Sequence, residues 1–342
     1  MSLKKALIIG QGSIGEKHRK VAENNEQVGL VISLGQREFS SSVIDKTDSE
    51  VTDYIEAVAS GLPDFAIVAG PASTHIATAK ALLNAGIPVM IEKPLSHCSS
   101  RLSCFQEFVD NSGHLVSVGY NLRHSESINA FKRFIDSGEL GNVFSVRCEV
   151  GQYLPDWRPN TDYRESVSAN ASLGGGVLLE LSHEIDYLQW IFGQIESVSG
   201  VVGRFSSLQT DVEDTAQVVM KFGTDKRPSQ LIASLNMDFI RRDTTRCCYA
   251  ICDAGTLKWD GVADEVSVFR ASDKKWTPIF RNTATKLATY EKALSQFITD
   301  IDSQTHSGVT VAEGVSVMRV IDAVRKSSLS EQSETVTLPS CG

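Results

Sequence analysis

Two stretches of this chain hold side chains of the type that move protons and steady charge. His183 stands behind Gly174-Gly175-Gly176, with Glu180 three residues before it and Asp186 three after. On a helix that spacing puts neighbours of the series on one face. An imidazole, with an unperturbed pKa of about 6.5, is suited to take a proton near neutral pH. Lys93 sits in Glu92-Lys93-Pro94, directly after the apolar run Pro88 to Ile91. Open parallel sheets bind ligands outside the carboxyl ends of their strands, so a charged amine there is placed for chemistry. Each residue also has a plainer reading. A lone histidine is often a satisfied structural group, and a lysine at a strand end is often only solvated.

A third stretch could hold a cofactor. The apolar run Ala6 to Ile9 reads as a buried strand and ends in Gly10-Gln11-Gly12-Ser13-Ile14-Gly15. The glycines have the G-x-G-x-x-G spacing of a dinucleotide-binding turn. Gly10 would make the tight turn, Gly12 would let a pyrophosphate approach, and Gly15 would let helix and strand pack closely. The N–H groups of Ser13 and Ile14 would open a helix whose positive end faces the phosphates. A ribose-binding acid is expected about twenty residues later, after a second strand Val28 to Leu34. That place is taken by Ser33, Leu34, Gly35, Gln36 and Arg37. Ser33 and Arg37 suit a 2′-phosphate, so the residues lean to NADP over NAD.

The elements that must position these groups follow from the pattern. Phe65 to Ala69 reads as a strand that closes in Gly70-Pro71, and a helix from Ser73 or Thr74 as N-cap runs through Ala85. His75 falls in the first turn of that helix. Val116 to Gly119 is a further strand before Tyr120 to His124. Strands alternating with helices predict an α/β first domain, a doubly wound parallel sheet. Ser127 to Ser137 then reads as a helix and Val143 to Val150 as the first strand of a second, mostly antiparallel sheet. The segment Gln152 to Arg164, with two prolines, reads as an ordered loop. There Trp157 and Tyr163 could stack on a ring, and Arg158 or Arg164 could bind an anion; equally, the loop could pack on its own rings. Leu178, Leu181, Ile185, Leu188 and Phe192 predict one amphipathic helix carrying His183. Five strands are read between Val198 and Trp259, and Thr289 to Ile301 and Val311 to Arg325 as returning helices. Arg241, Arg242 and Arg246 read as a solvated hairpin connection, or alternatively as a contact to an anionic substrate of the same or a neighbouring subunit. The tail after Ser327 reads as weakly ordered.

The glycine turn, Pro71-x-x-x-His75, Glu92-Lys93-Pro94 and Gly174-Gly175-Gly176…His183 together resemble the Gfo/Idh/MocA family of oxidoreductases, over nearly the whole chain. The resemblance implies a Rossmann domain over residues 1–122. It implies a substrate-binding and oligomerisation domain over 123–342, an α+β unit with a large open sheet, whose C-terminal helices return to the first. It implies hydride transfer between NAD(P) and a hydroxyl or keto carbon of a sugar or sugar derivative. Lys93 would hold the substrate oxygen and His183 would take its proton. Arg123, Trp157, Arg158, Tyr163 and Glu180 would meet the substrate, and Pro71, His75, Glu92 and Lys93 would lie on the cofactor side. The Lys93–Pro94 bond is expected to be cis. One departure stands out: the family usually has an Asp four residues before the histidine, where this chain has Leu179. Two other readings remain, a reductase of a non-sugar substrate and a non-catalytic cofactor-binding sensor.

Bulk properties narrow the class. The formal net charge of −9 argues against nucleic acid and anionic membranes as partners. No apolar run has the length of a membrane span, and Met1 leads almost directly into the first strand, so a cytoplasmic protein without a signal peptide is expected. The seven cysteines include no C-x-x-C pair, which reads as reduced thiols and no metal site. In Thr215 to Phe222, alternation sends Val218, Met220 and Phe222 to one face and Val219 and Lys221 to the other. An open sheet face with apolar positions predicts a homodimer or homotetramer packed through it.

Overall fold

The computed structural model describes residues 3–35, 63–223, 230–285 and 287–337. They form two compact units. The first gathers the described residues up to Asn121 and from Thr285 to Ser316, and the second gathers the described residues from Leu122 to Ala284 and from Val317 to 337.

In the first unit β1 (Lys4–Ile9), β2 (Val28–Leu34), β3 (Phe65–Val68), β4 (Val89–Ile91) and β5 (Val116–Val118) form a parallel sheet in the order β2-β1-β3-β4-β5. Between the strands lie α1 (Ser13–Glu23), α2 (His75–Asn84) and α3 (Leu102–Ser112); α7 (Ala288–Ser303) packs on α1. The central strands are apolar without interruption because both faces are covered. Ala6, Ile8, Phe65 and Ile67 pack with Val21 and Ala22 of α1 and Leu294, Phe297 and Ile298 of α7. The strand order reverses between β1 and β3. A cleft therefore opens at their carboxyl ends, beside Gly10 and Gly70, which is where such sheets bind ligands.

In the second unit nine strands run in the order β13-β12-β11-β10-β6-β9-β8-β7-β14. They are β6 (Val143–Gly151), β7 (Ile195–Gly203), β8 (Thr215–Phe222), β9 (Leu231–Asp238), β10 (Thr245–Cys252), β11 (Gly255–Asp260), β12 (Glu265–Arg270), β13 (Lys275–Arg281) and β14 (Glu334–Thr335). All neighbours are antiparallel except β6 and β9. Helices α4 (Glu126–Asp136), α5 (Val177–Glu180) and α6 (His183–Phe192) belong to this unit. Its inner face is closed by rings: Tyr187 meets Trp259 at 5.4 Å and Phe192 meets Phe222 at 6.3 Å. On β8 Val218, Met220 and Phe222 are buried, while Val219 is 51% exposed.

The structure corrects the sequence reading in four places. The expected single helix around His183 is two helices, α5 and α6, broken at Leu181 and Ser182. β12 and β13 were not visible to alternation, since β13 is exposed along most of its length and carries Pro278. As an edge strand, it can spare the missing N–H. The described residues after Ser327 are not loose. The last helix, α8 (Val311–Ser330), continues past Arg325, Ser327 Oγ accepts from Gly200 N–H at 3.1 Å, and Glu334 and Thr335 pair with β7. The arginine cluster is solvated only in part and joins no hairpin: Arg242 and Asp243 are exposed, β6 lies between β9 and β10, and Arg246 stands on β10. Arg241 pairs with Asp243 and Glu149, Arg242 lies 3.4 Å over the Tyr153 ring, and Arg246 binds a buried carboxylate.

Among the described residues no helix is long and apolar enough to cross a membrane. Nor does any group of three or more His, Cys, Asp or Glu side chains gather as metal ligands. The described cysteines are free thiols.

Candidate functional site

The three glycines of the first turn have separate tasks that the geometry distinguishes. Gly10 has φ +119°, and a Cβ there would lie 2.5 Å from Ala69 O. A Cβ on Gly15 would lie 1.8 Å from Gly10 O. Both are glycine because the backbone has no room for anything else. Gly12 is different: nothing lies within 4 Å of where its Cβ would be. Its bare backbone faces open space at the N-terminus of α1. The first intrahelical bond there is Glu16 N–H to Gly12 O, 2.9 Å, so the N–H groups of Ser13, Ile14 and Gly15 come before the ladder begins. A cradle that is open at Gly12 and lined by helix N–H groups fits a dinucleotide pyrophosphate. Ser33 lies inside β2, opposite Ile8, and Arg37 lies outside the described residues.

The next two turns of the sheet are tied to each other. Pro71 precedes a single turn, Ala72–Thr74, ahead of α2. Thr74 occupies the N-cap of α2 but caps nothing with its side chain. Its hydroxyl donates to Pro71 O at 2.8 Å. His75 is buried, with Nδ1 2.9 Å from Pro94 O and Nε2 2.9 Å from Gly70 O. Each ring nitrogen faces a main-chain carbonyl, and the one N–H of the neutral ring donates to Pro94 O or to Gly70 O according to its tautomer, so the ring lies between the β3 turn and the β4 turn. Burial, the largest influence, pushes its pKa below the ordinary value. The Lys93–Pro94 bond is cis. Glu92, expected to face the cofactor, is 5% exposed and turned inward: Oε1 lies 2.6 Å from His18 Nε2, and Oε2 accepts from Lys93 N–H at 3.1 Å. Burial pushes the Glu92 carboxyl up, but the His18 hydrogen bond and the His18 and Lys93 charges outweigh it, leaving the pKa below the usual value. Lys93 itself is half-buried. Sequence reading passed over His18. Its only local signal was its place three residues after Gly15.

In the second unit His183 is the first residue of α6 and Glu180 the last of α5, so the two do not share a helix face as expected. Asp186 does share α6. Glu184 and Asp186 are fully buried, and each is gripped by an arginine. Arg246 places Nε 2.7 Å and Nη2 3.3 Å from the two oxygens of Glu184. Arg123 places Nη2 2.7 Å and Nε 3.0 Å from those of Asp186, and its guanidinium lies 5.5 Å from the Trp190 ring. Burial would lower the pKa of Arg246, but Glu184 more than offsets it and the value is raised. Arg123, expected to meet substrate, thus braces the helix that begins with His183. Glu184 and Arg246 were not singled out as partners, because nothing local pairs residues so far apart.

The loop before α5 is partly self-packed. Trp157 Nε1 donates to Gln152 O at 3.2 Å, and its ring stands edge-on to Phe239 at 5.2 Å. Tyr163 Oη accepts from Gln209 N–H at 3.1 Å, and Arg164 forks onto Asp162. Arg158 is exposed, and Glu180 and Tyr163 are half-buried. Gly176, with φ +109°, has its Cβ position 2.6 Å from Glu213 Oε1, so the entry to α5 admits only glycine.

Two family models match the chain. One, described as an oxidoreductase family with an NAD-binding Rossmann fold, matches residues 4–120. The other, described as the GFO/IDH/MocA C-terminal domain, matches residues 128–258. The rhizopine catabolism protein MocA of Rhizobium meliloti is 25% identical over 193 residues, 55% of this chain and 56% of that protein. An inositol 2-dehydrogenase of Klebsiella pneumoniae is 24% identical over 351 residues, 100% of this chain and 98% of that protein. For several such relatives, however, the chain spans only about half of their length. Among solved structures, levoglucosan dehydrogenase in complex with NADH and L-sorbose superposes with a TM-score of 0.81 at 17% identity, covering 98% of this chain and 99% of that one. At that identity the likeness speaks for the fold alone.

Proposed function

Because the chain belongs to the Gfo/Idh/MocA family, we propose that it is a nicotinamide-dependent oxidoreductase acting on a CH–OH carbon of a sugar or cyclic polyol. The observation that carries this reading is the glycine cradle at the sheet's switch point, open at Gly12 and in the same unit as the Lys93 turn. The bound dinucleotide supplies the hydride acceptor, or the donor in the reverse direction. The chain's own residues do the rest. His183 takes the hydroxyl proton, a step suited to an imidazole near neutral pH. Lys93 holds the oxygen and stabilises the charge that develops on it. Glu180, Arg158, Tyr163 and Trp157 are the proposed substrate contacts, and Arg123 acts by bracing α6.

The relatives in sequence named as inositol and levoglucosan dehydrogenases support a ring-shaped, hydroxyl-rich substrate. We place the reaction in the cytoplasm, where nicotinamide dinucleotides are available. The lack of a carboxylate between Ser33 and Arg37 favours NADPH. Phe144, Val219 and Ile232, on strands β6, β8 and β9, are each about half exposed, which favours a homodimer or homotetramer packed on the open face. Absorbance of reduced nicotinamide, followed over a panel of inositols, anhydrosugars, free sugars and nucleotide sugars with both cofactors, tests the activity. A panel without a single substrate-dependent change would overturn it. Light scattering at micromolar concentration tests the assembly, which a monomer would refute.

A further inference from the structure

His18 is the one buried histidine of the first unit whose partner leads directly to the proposed catalytic lysine. It lies on α1 at 2% exposure, in a position that packing alone would give to an aliphatic side chain. Its Nδ1 is buried without a hydrogen-bond partner, and Nε2 makes the single contact, 2.6 Å to Glu92 Oε1. From α7 the Tyr290 ring meets it edge-on at 5.3 Å, with the Lys17 ammonium 5.6 Å from the centre of that tyrosine. The charged side chain that touches the imidazole is Glu92. A polar ring kept here with one nitrogen idle is explained by what the other nitrogen does.

That nitrogen fixes Glu92 on one oxygen and leaves the other for the N–H of Lys93, at 3.1 Å. The slot that receives the carboxylate is built for it. Gly119 has no side chain where a Cβ would lie 3.1 Å from Glu92 Cδ and 3.2 Å from Oε1. Main-chain bonds hold both walls, Glu92 N–H to Val68 O at 2.8 Å and Gly119 N–H to Ile91 O at 2.7 Å. On the far side of the lysine, His75 Nδ1 lies 2.9 Å from Pro94 O. The backbone from which Lys93 extends is thus held before and after it.

We propose that His18 is a positioning residue for Lys93: by donating to one oxygen of Glu92 it turns the other onto the Lys93 N–H and sets the direction from which the lysine reaches substrate. This rests on the reading of Lys93 as the residue that holds the substrate oxygen. A general base or a cofactor contact is not what His18 supplies, since its ring is buried behind Glu92.

The test compares four variants, His18→Leu, His18→Gln, Lys93→Met and the double variant His18→Leu/Lys93→Met, with myo-inositol and levoglucosan as probes and kcat, KM and NADH affinity as readouts. Glutamine keeps a donor close to the place of Nε2, and leucine removes it. His18→Leu should lower kcat by about ten- to a hundredfold, the scale of a misplacement near 1 Å, with NADH affinity unchanged. His18→Gln should restore most of it. On the Lys93→Met background the leucine substitution should cost almost nothing further, because a residue that acts through the lysine has nothing left to position. An equal loss on both backgrounds, or no loss on either, would overturn the inference and leave the role of Lys93 standing. Parent-like turnover in Lys93→Met would overturn that role and this inference with it. A second measurement does not depend on turnover. Acetylation of Lys93 by acetic anhydride, read by mass spectrometry against the exposed Lys326, should quicken several-fold in His18→Leu and return to the parent rate in His18→Gln. Equal labelling in all three proteins would show that His18 does not hold the lysine.

Discussion

The Lys93 turn and the start of α6 solve the same problem with different cations. Each holds a side chain proposed to react, close in sequence to buried carboxylates, Glu92 in the first unit and Glu184 and Asp186 in the second. At α6 the partners are arginines that fork onto both oxygens, from Arg246 and Arg123. A guanidinium stays charged at any working pH, so this brace is permanent. At the lysine turn the partner is a single histidine nitrogen, and the second carboxylate oxygen is spent on a main-chain N–H. An arginine there would set a second fixed positive charge beside Lys93. A histidine instead gives one directional donor to a single oxygen and leaves the other oxygen for the main chain. The difference teaches that the two ends of the proposed chemistry are held to different electrostatic standards. The proposed proton acceptor stands at the start of a helix braced by forked, fixed cations, whereas the proposed oxygen-holding lysine is braced through one directional donor and its own main-chain N–H.

The largest expected effects break the comparison at the reactive residues themselves. His183→Asn should lower turnover by about 10²–10⁴-fold while cofactor binding is kept, and the residual rate should climb with pH as solvent base substitutes. Lys93→Met should also lose rate, but raising the pH should rescue it far less, because a missing cation is not replaced by hydroxide. A pH–rate series with nicotinamide fluorescence as the binding control separates the two. Near-normal turnover of His183→Asn at neutral pH would make the histidine structural.

The braces come next. Arg246→Met leaves Glu184 buried without its cation and should cost about 3–5 kcal/mol of stability, measured by urea unfolding of the second unit's tryptophan signal. The double variant Arg246→Met/Glu184→Gln should recover much of that, since both charges are then gone. If the single and double variants were equally unstable, the ion pair would not be what holds α6.

Gly119→Ala tests the lysine side. Its Cβ would sit 3.1 Å from Glu92 Cα and Cδ, so the carboxylate must shift from His18. The overpacking should cost about 1–3 kcal/mol, with turnover reduced and NADH affinity kept. A fully active and fully stable alanine variant would mean that the slot has slack.

The smallest effect is in acid. The folded pKa of Glu92 lies below its ordinary value, so its pairing contributes stability above the unfolded carboxyl pKa. That contribution fades as pH falls below about 4.5, through the unfolded value and then the folded one, and is absent where both states are protonated. Glu92→Gln should therefore flatten the acid limb of the thermal-midpoint curve relative to the parent protein. Parallel curves would show that Glu92 does not contribute to it.

How much was legible beforehand depended on distance along the chain. The boundaries of β2 and the turn after β1 could be read, because uninterrupted apolar residues and glycine spacing are local demands of the backbone. The same holds for the strands of the second sheet that alternate cleanly, such as β8. The break between α5 and α6 could not be read. Its apolar spacing runs on through Leu181 and Ile185, and only the backbone at Leu181, φ −101° and ψ 23°, shows that the helix stops.

The chain's own order of residues determined that a dinucleotide turn, a strand-end lysine and a histidine near a triple glycine exist, since each depends on neighbours a few positions away. Tertiary structure alone decided what holds them. His18 finds Glu92 across 74 residues, Arg246 finds Glu184 across 62, and Arg123 finds Asp186 across 63. A charge in sequence looks the same whether water or a buried partner will balance it. Which of the two it meets is settled when sheets and helices close over it, because burial makes an unpaired charge too costly to keep.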